Sequence, residues 1–312
     1  MRIVFMGTPD FAVASLEALI AANKEVVGVI TAPDRPAGRG RKLKASAVKL
    51  AAEAHGIPVL QPEKLKSPEF LEALSALRPD IQVVVAFRML PEVVWKMPTY
   101  GTFNLHGSLL PEYRGAAPIH WAVMNGENKT GVTTFFIDEK IDTGAIIAQR
   151  EMPIGPEETT GSVHDRMMLL GADLVVATVS AIEAGTAESQ PQPKDREFKP
   201  APKLNPSNTR IDWSLTAMDI YNKVRGLNPF PGAWTELHQG DNISTVKIYD
   251  CEFLPDHHKE EIGSLMVDKK SIRVAVEDGW ISLLNLKLAG KKAMAAKDLL
   301  NGFSFDSGAK VH

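Results

Sequence analysis

The stretch IQVVVAF, residues 81–87, is the strongest strand pattern in the sequence. It is a short, continuous run of apolar and β-branched residues, which is typical of a strand buried on both faces of a parallel sheet. The helical pattern SPEFLEALSALRPD (67–80) precedes it, with Ser67 suited to cap the helix and Pro68 suited to its first position. A helix followed by such a strand predicts a βαβ arrangement with a right-handed crossover.

Strand and helix patterns alternate on both sides of this stretch. Upstream, the predicted elements are RIVFMG (2–7), PDFAVASLEALIAAN (9–23), VVGVIT (26–31), SAVKLAAEAHG (46–56) and IPVLQP (57–62). Downstream, they are GTFNLH (101–106), GVTTFFID (131–138), AIIAQREMPI (145–154) and a long amphipathic helix over 162–185. We therefore expect an α/β domain with a Rossmann-like, open parallel sheet, in which ligands bind beyond the carboxyl ends of the strands.

The composition of the chain changes after the long helix. The stretch 189–208 carries five prolines and shows no helical period, which is typical of a linker. Beyond it, one helix pattern (216–232) precedes several short, closely spaced strand patterns, which favour a small β-barrel or sandwich. These features predict an N-terminal domain at 1–189, a linker at 190–207 and a smaller C-terminal domain at 208–312.

Composition and charge limit the class of protein. Of the 312 residues, 44% are hydrophobic and 23% are charged, which is ordinary for a soluble globular protein. The formal net charge of -3 means that any contact with nucleic acid would need a local basic patch. No apolar run reaches the ~20 residues that cross a bilayer, and the N-terminus lacks the pattern of a signal peptide. The single cysteine, Cys251, cannot form an internal disulfide, which favours a reducing cytoplasm.

Several common site motifs are absent from the sequence. The turn GTPD (7–10) after the first strand contains neither GxGxxG nor GxxxxGK[ST], so it does not predict a dinucleotide or nucleoside triphosphate site. No GxSxG sequence indicates a nucleophilic serine. None of the eight histidines has the spacing of a zinc motif. We therefore predict a site that uses neither a metal ion nor a covalent intermediate.

A group of polar residues lies at the end of one predicted strand, in FNLHGSLLPEYRGAAP (103–118). Residues two apart on a strand face the same side, so Asn104 and His106 should point together at the rim of the sheet. Two hydrogen-bond donors in that position can stabilise a developing oxyanion. Asp142 lies in a later turn and is a candidate partner for His106, because a carboxylate fixes the tautomer of a nearby imidazole. A lone histidine is more commonly structural, so this interpretation depends on the neighbouring residues.

The segment TAPDRPAGRGRKLKAS (31–46) is locally basic. Its cations lie within ten residues and are Arg35, Arg39, Arg41, Lys42 and Lys44. Interspersed proline and glycine, without a helical or strand period, predict an exposed and mobile loop. Such a loop could contact phosphate groups. Taken alone, it is more typical of a solvated surface.

The motifs at the end of the predicted strand and in the basic segment resemble those of a known family. NLHGSLLPEYRGAAPI (104–119) followed by IDTG (141–144) resembles the formyltransferase family that uses 10-formyltetrahydrofolate. The likeness extends over essentially the full length through VFMGTPDFA (4–12), TAPDRPAGRGRKL (31–43) and RIDW (210–213), toward the branch of the family that acts on methionyl-tRNA. The shorter glycinamide ribonucleotide formyltransferases share the Asn-His-Asp core but lack the basic loop and the C-terminal domain.

The resemblance implies a reaction and an assignment of roles. The formyl group of 10-formyltetrahydrofolate would pass to the α-amino group of initiator methionyl-tRNA, in the cytoplasm, for translation initiation. The implied enzyme would be a monomer, without a metal ion, whose C-terminal domain is an OB-like barrel that helps to hold the tRNA. The implied catalytic residues are Asn104, His106 and Asp142. The implied folate-binding residues are Phe87, Arg88, Met89, Ser108, Leu109, Leu110 and Pro111. The implied tRNA-binding residues are Arg35, Arg39, Arg41, Lys42 and Lys44.

One segment departs from the family pattern. AFRMLP (86–91) stands where many relatives carry a version that contains Tyr-Gly, in a loop that lines the folate pocket of the family. The departure affects the expected pterin contacts and leaves the three implied catalytic residues unchanged.

Two other functions remain compatible with the sequence. A folate-dependent formyltransferase or hydrolase acting on a small amine or a nucleotide sugar would use the same core, but its basic segment would have no evident task. A non-enzymatic RNA-binding protein on a doubly wound scaffold would bring Asn104, His106 and Asp142 together only by accident.

Overall fold

The computed structural model describes residues 1–37, 42–194 and 196–312. Its contacts divide the chain into two compact units. The N-terminal unit consists of Met1–Pro118, Lys129–Pro153 and His164–Pro200. The C-terminal unit consists of Ile119–Asn128, Ile154–Val163 and Ala201–His312. The domain limits expected from composition stay predictions. Composition does not reveal that Ile119–Asn128 and Ile154–Val163 group with the C-terminal unit.

The helices and strands follow the predicted order. The helices are α1 (Asp10–Ala21), α2 (Ala47–Ala54), α3 (Pro68–Ala76), α4 (Glu92–Trp95), α5 (Pro118–Met124), α6 (Thr160–Glu183), α7 (Pro206–Thr209), α8 (Ala217–Gly226) and α9 (Ala296–Leu299). The strands of the N-terminal half are β1 (Ile3–Gly7), β2 (Val26–Ile30), β3 (Arg35–Ala37), β4 (Lys42–Lys44), β5 (Val59–Leu60), β6 (Ile81–Val85), β7 (Thr102–His106), β8 (Arg114–Gly115), β9 (Lys129–Phe136) and β10 (Ile146–Pro153). The later strands are β11 (Pro200–Ala201), β12 (Ala233–Gln239), β13 (Asn242–Pro255), β14 (Leu265–Val267), β15 (Ile272–Val276), β16 (Gly279–Leu288), β17 (Met294–Ala295) and β18 (Lys310–Val311).

The sheet of the N-terminal unit is predominantly parallel, which confirms the predicted fold class. Its order is β10-β9-β7-β6-β1-β2-β5. The pairs β1–β2, β1–β6, β6–β7 and β2–β5 are parallel. The strands β9 and β10 pair antiparallel because only a short turn joins them. Strands β1 and β6 are buried along their whole length, as expected for strands covered by helices on both faces.

The predicted start of helix α3 is confirmed in detail. The Ser67 side chain accepts a hydrogen bond from the main-chain N–H of Phe70, at 3.3 Å, and Pro68 occupies the first turn. Ser46 caps helix α2 in the same way, by accepting from the N–H of Lys49 at 3.0 Å. Both caps satisfy main-chain donors that the first turn of a helix leaves free.

The basic segment contains a short hairpin, so the prediction that it lacks regular structure is wrong for its described residues. Strands β3 and β4 pair antiparallel, with Arg35 opposite Lys44. Strands of three residues are too short for an alternating pattern to be recognised in the sequence, and Pro36 obscures it further. Arg39 and Arg41 lie outside the described residues, as does the side chain of Lys42.

The C-terminal unit is a nearly closed antiparallel barrel, as predicted. Its main sheet has the order β14-β15-β16-β13-β12-β18. The long strand β13 pairs with both β12 and β16. The two ends of the sheet approach each other where Leu265 N donates to Ala309 O at 3.1 Å and Val311 N donates to Gly263 O at 2.9 Å. Apolar side chains of the strands and of α8, such as Ile220 and Ile248, fill the interior.

The described residues were compared with the requirements of a membrane span and of a metal site. None of their helices combines the length and the hydrophobicity of a bilayer-spanning helix. They also contain no cluster of three or more His, Cys, Asp or Glu side chains that could hold a metal ion.

Candidate active site

Strand β7 delivers Asn104 and His106 to the carboxyl end of the parallel sheet. Asn104 lies between Val84 of β6 and Phe135 of β9. The side chain of Asn104 is partly exposed, whereas His106 is buried. Because the two residues are two apart on one strand, both side chains leave the same face of the sheet.

The two ring nitrogen atoms of His106 have different neighbours. Nε2 lies 2.9 Å from the main-chain oxygen of Tyr113, and Nδ1 lies 3.8 Å from Oδ2 of Asp142. A carbonyl oxygen can only accept, so Nε2 carries the hydrogen in this arrangement. The distance to Asp142 is too long for a direct hydrogen bond. The structure therefore fixes one nitrogen of His106 and leaves the other facing a carboxylate.

Asp142 is held in a tight turn, residues 138–144, which we call the Asp142 turn. Its Oδ2 accepts a hydrogen bond from the N–H of Gly115 at 2.9 Å. Its own backbone is left-handed, with φ of 55°. Gly144 ends the turn so close to β9 that an added Cβ would lie 1.7 Å from the main-chain oxygen of Phe136. The approach of Asp142 to His106 thus depends on a turn in which position 144 has no room for a side chain.

The three loops that border this end of the sheet each contain a left-handed residue other than glycine. Ala86 follows β6 with φ of 47°, and Tyr113 follows the SLLP sequence with φ of 60°. Asp142 is the third. Such residues persist only where the surrounding structure holds them, and they are commonly found in functional sites.

The SLLP sequence, residues 108–111, is fixed to β9 through one hydroxyl group. Thr133 Oγ1 donates to Ser108 O at 2.6 Å and accepts from Leu110 N at 3.1 Å. It also accepts from Gln149 Nε2 at 2.9 Å. Ser108 and Leu110 are buried, so their side chains support the loop, while Leu109 and Pro111 are partly exposed.

The loop after β6 starts beside the same strand end, since Val85 pairs with Leu105. Phe87 is partly exposed, and the Met89 side chain is 72% exposed. The Arg88 guanidinium donates to Glu63 O at 2.9 Å and to Pro62 O. Partial burial, and secondarily the positive charge of Arg35, lowers the pKa of Arg88. Three of the seven residues predicted to bind folate therefore lie in one loop, within electrostatic range of Arg35 of the basic segment.

The described part of the basic segment carries exposed cations, and hydrogen bonds hold its N-terminal end in place. Arg35 and Lys44 are exposed cross-strand neighbours. At that end, the Asp34 carboxylate accepts hydrogen bonds from Lys49 Nζ and from Gln61 Nε2, both at 2.7 Å. These two hydrogen bonds hold the pKa of Asp34 below its ordinary value.

Pattern analysis missed the side chains that support the site. Thr133 and Gln192 are both buried and both donate hydrogen bonds to the site loops. Gln192 lies in the stretch predicted as a linker, yet it reaches the Asp142 turn. A single glutamine in a proline-rich stretch carries no periodic signal, so nothing in the sequence alone could have identified it.

Comparison with known proteins identifies the family. Two family models match the chain: formyl transferase over residues 1–179, and formyl transferase, C-terminal domain, over residues 203–304. The chain belongs to the formyl transferase family. The resemblance expected from the sequence is confirmed, and so is the assignment of the chain as a transferase.

Relatives of this formyl transferase match along its whole length. A protein of Flavobacterium johnsoniae named methionyl-tRNA formyltransferase is 52% identical over 312 residues, which cover 100% of this chain and 99% of the relative. A protein of Parabacteroides distasonis with the same name is 56% identical over 310 residues, with 97% and 96% covered.

Solved structures of more distant proteins share the fold. An N-formyltransferase from Helicobacter canadensis, in complex with folinic acid and dTDP-3-aminofucose, superposes with a TM-score of 0.67 at 22% identity and covers 91% of this chain and 98% of its own. HypX from Aquifex aeolicus, in complex with tetrahydrofolic acid, gives 0.63 at 20% identity, with 96% and 47% covered. At these identities the likeness concerns the architecture alone.

Proposed function

We propose that this formyl transferase moves the formyl group of 10-formyltetrahydrofolate to the α-amino group of initiator methionyl-tRNA. The observation that carries the proposal is the identity of 52% and 56% with two proteins of that name over nearly the entire length of both chains. The match spans the C-terminal barrel and the basic segment as well as the sheet. The basic segment would have no evident task in a formyl transferase that acts on a small amine.

The proposed chemistry is direct attack by the uncharged amine on the formyl carbon. A bond forms between the amine nitrogen and that carbon, the carbonyl oxygen takes up negative charge, and the bond from carbon to N10 of the folate then breaks. Asn104 and His106 would donate hydrogen bonds to the oxygen as its charge develops. Their position on one face of β7 at the carboxyl end of the sheet supports this role.

The contacts of His106 suggest how it acts. Its Nε2–H donates to Tyr113 O, so Nδ1 is the nitrogen left for the reaction. Asp142 Oδ2, at 3.8 Å, would stabilise a proton on Nδ1. The Asp142 carboxylate would also help the amine proton to reach N10, which becomes an N–H in the product. No metal ion and no covalent enzyme intermediate enter this sequence of steps.

The site loops offer a place for the folate. Phe87, Arg88 and Met89 border the strand end on one side, and the SLLP sequence borders it on the other. Leu109 and Pro111 are the members of that sequence with exposed side-chain surface. Ser108 and Leu110 are buried and bonded to β9 through their main chains, so they would contribute by holding the shape of the loop.

The basic segment would contact the phosphates of the tRNA acceptor arm through Arg35, Arg39, Arg41, Lys42 and Lys44. Replacing Arg39 and Arg41 with Ala should raise the KM for tRNA and leave the KM for folate unchanged. Each lost phosphate contact should flatten the log–log salt dependence of tRNA binding by about one unit. An unchanged salt slope would remove this segment from the tRNA interface.

A formylation assay tests the proposal directly. The purified chain is incubated with labelled 10-formyltetrahydrofolate and, in parallel, with initiator methionyl-tRNA, an elongator methionyl-tRNA and an amino-sugar nucleotide. We expect the label in initiator methionyl-tRNA, at a rate about 10²–10³ lower with the His106→Ala variant. Label in the amino sugar, or release of formate without an acceptor, would instead favour the alternative transferase or hydrolase. Size-exclusion chromatography of the same preparation tests the proposed monomer.

A further inference from the structure

Gln192 connects two loops of the candidate active site. Its side-chain nitrogen donates to the main-chain oxygen atoms of Asp142, at 2.9 Å, and Gly144, at 2.8 Å. Its side-chain oxygen accepts from Arg114 Nε at 3.1 Å and from Arg114 Nη2 at 2.5 Å. The residue is 4% exposed, so these bonds are made away from water. Both the nitrogen and the oxygen of the Gln192 amide therefore form hydrogen bonds with residues of the site loops.

The orientation of this amide is fixed by chemistry. Carbonyl oxygens can only accept hydrogen bonds, and a guanidinium can only donate them. Only one assignment of the Gln192 oxygen and nitrogen therefore satisfies all four bonds. A carboxylate of nearly the same size would keep the contact with Arg114 but would set an oxygen against the carbonyls of Asp142 and Gly144.

The Asp142 turn needs support from outside itself. Asp142 is left-handed, a conformation that is uncommon outside glycine although aspartate adopts it more readily than most residues. Its carboxylate accepts from the N–H of Gly115, the residue next to Arg114. Arg114 thus binds Gln192. Gln192 in turn holds the main chain of Asp142, and Gly115 holds its side chain.

We propose that Gln192, together with Arg114, is a positioning residue that sets the distance between Asp142 and His106. The inference rests on the proposed function, in which Asp142 acts on His106 during formyl transfer. Gln192 touches neither of the two reacting groups and acts through the turn that carries Asp142. The stretch predicted as a linker is on this view a part of the catalytic apparatus.

The attachment of the stretch itself does not depend on Gln192. Two residues earlier, the main chain of Gln190 exchanges two hydrogen bonds with Ile146, both at 2.8 Å. The side chain of Gln190 is exposed. Gln190→Met is therefore a matched control for Gln192→Met, with the same change in chemistry two positions away.

The experiment measures kcat and KM for wild type, Gln192→Met, Gln192→Glu and Gln190→Met with methionyl-tRNA and 10-formyltetrahydrofolate. We expect Gln192→Met to lower kcat by about a hundredfold, because small displacements of a catalytic group have effects of this size. KM for either substrate should change less than threefold. Gln192→Glu should be at least as impaired as Gln192→Met, and Gln190→Met should match wild type.

A second set of variants separates positioning from general support. In the Asp142→Asn background, Gln192→Met should lower kcat by less than threefold, because the group that Gln192 positions is already lost. An equal loss in both backgrounds would overturn the inference, and so would a Gln192→Glu variant with wild-type kcat. If wild type itself does not formylate methionyl-tRNA, the proposed function fails, and that result is distinct from a failure of any Gln192 variant.

Discussion

The two units of the chain form their tight turns in different ways. In the C-terminal unit, every described residue with a left-handed backbone is a glycine, such as Gly240 with φ of 53° and Gly263 with φ of 82°. In the N-terminal unit, five described residues other than glycine adopt this conformation: Asn23 and Arg78 follow helices α1 and α3, and Ala86, Tyr113 and Asp142 lie next to the candidate active site. A side chain makes it unfavourable by about 1–2 kcal/mol for most residues, and by less for Asn and Asp. The described turns of the barrel avoid this cost, and the site loops carry part of it.

Contacts from distant parts of the N-terminal unit offset the cost. The N–H of Tyr113 donates to Lys199 O at 2.6 Å, and its carbonyl oxygen lies 2.9 Å from His106 Nε2. The Asp142 turn is held by Gly115 and Gln192. The site loops are thus shaped by residues whose only visible task is to hold them.

The largest effect is expected where these loops meet the reacting groups. His106→Ala and Asn104→Ala should each lower kcat by about 10²–10³, because each removes one donor to the developing oxyanion. The KM for tRNA should change little, since the lost interaction belongs to the transition state. Single-turnover formylation with saturating substrates measures the effect. A variant that turns over at the wild-type rate would exclude its residue as an oxyanion donor.

The order of elements, and the residues at the end of β7, could be predicted because they depend on local pattern. Buried strands of the parallel sheet appear as continuous apolar runs, and a polar pair at i and i+2 is visible at once. The supports of the site could not be predicted. Thr133 lies 25 residues from Ser108, and Gln192 lies 50 residues from Asp142. Periodicity reports which residues are buried, and it does not report which partner a buried polar group finds.

A pair of glycine substitutions sharpens the comparison of the two kinds of turn. Gly144→Ala places a Cβ 1.7 Å from Phe136 O and should lower the free energy of unfolding by about 3 kcal/mol or more, with loss of turnover. Gly240 is left-handed but has open space around it, so Gly240→Ala should lower that free energy by only about 1–2 kcal/mol, at wild-type turnover. Urea unfolding and the formylation assay measure both. Equal stability losses would contradict the comparison.

The next effect concerns the hydroxyl group that holds the SLLP sequence. Thr133→Val removes the donor to Ser108 O and the acceptor for Leu110 N, so we expect a loss of about 1–3 kcal/mol in stability and a higher KM for folate. Thr134→Val is the matched control on the next position of β9, where the hydroxyl instead contacts Thr178 at 2.8 Å. The control should lose stability without any change in the KM for folate. A raised KM in both variants would mean that β9 as a whole, and not this hydroxyl, shapes the loop.

The smallest effect tests the barrel side of the comparison through its cysteine. Burial raises the pKa of the Cys251 thiol to about 12, and the charges of Asp250 and Glu252 add to the shift. Since the folded state favours the neutral thiol, this contribution to stability is complete below the unfolded pKa, near 8.5, and is lost as the pH rises toward 12.

At pH 8 the thiol should therefore react with iodoacetamide only when the barrel opens. The chain has one cysteine, so the label reports on that unit alone. Gly240→Ala lowers the free energy of opening by an amount that should speed labelling by about tenfold, while the rate of formyl transfer stays unchanged. Labelling of the folded wild type at the rate of a free thiol would show that Cys251 is accessible without opening of the barrel.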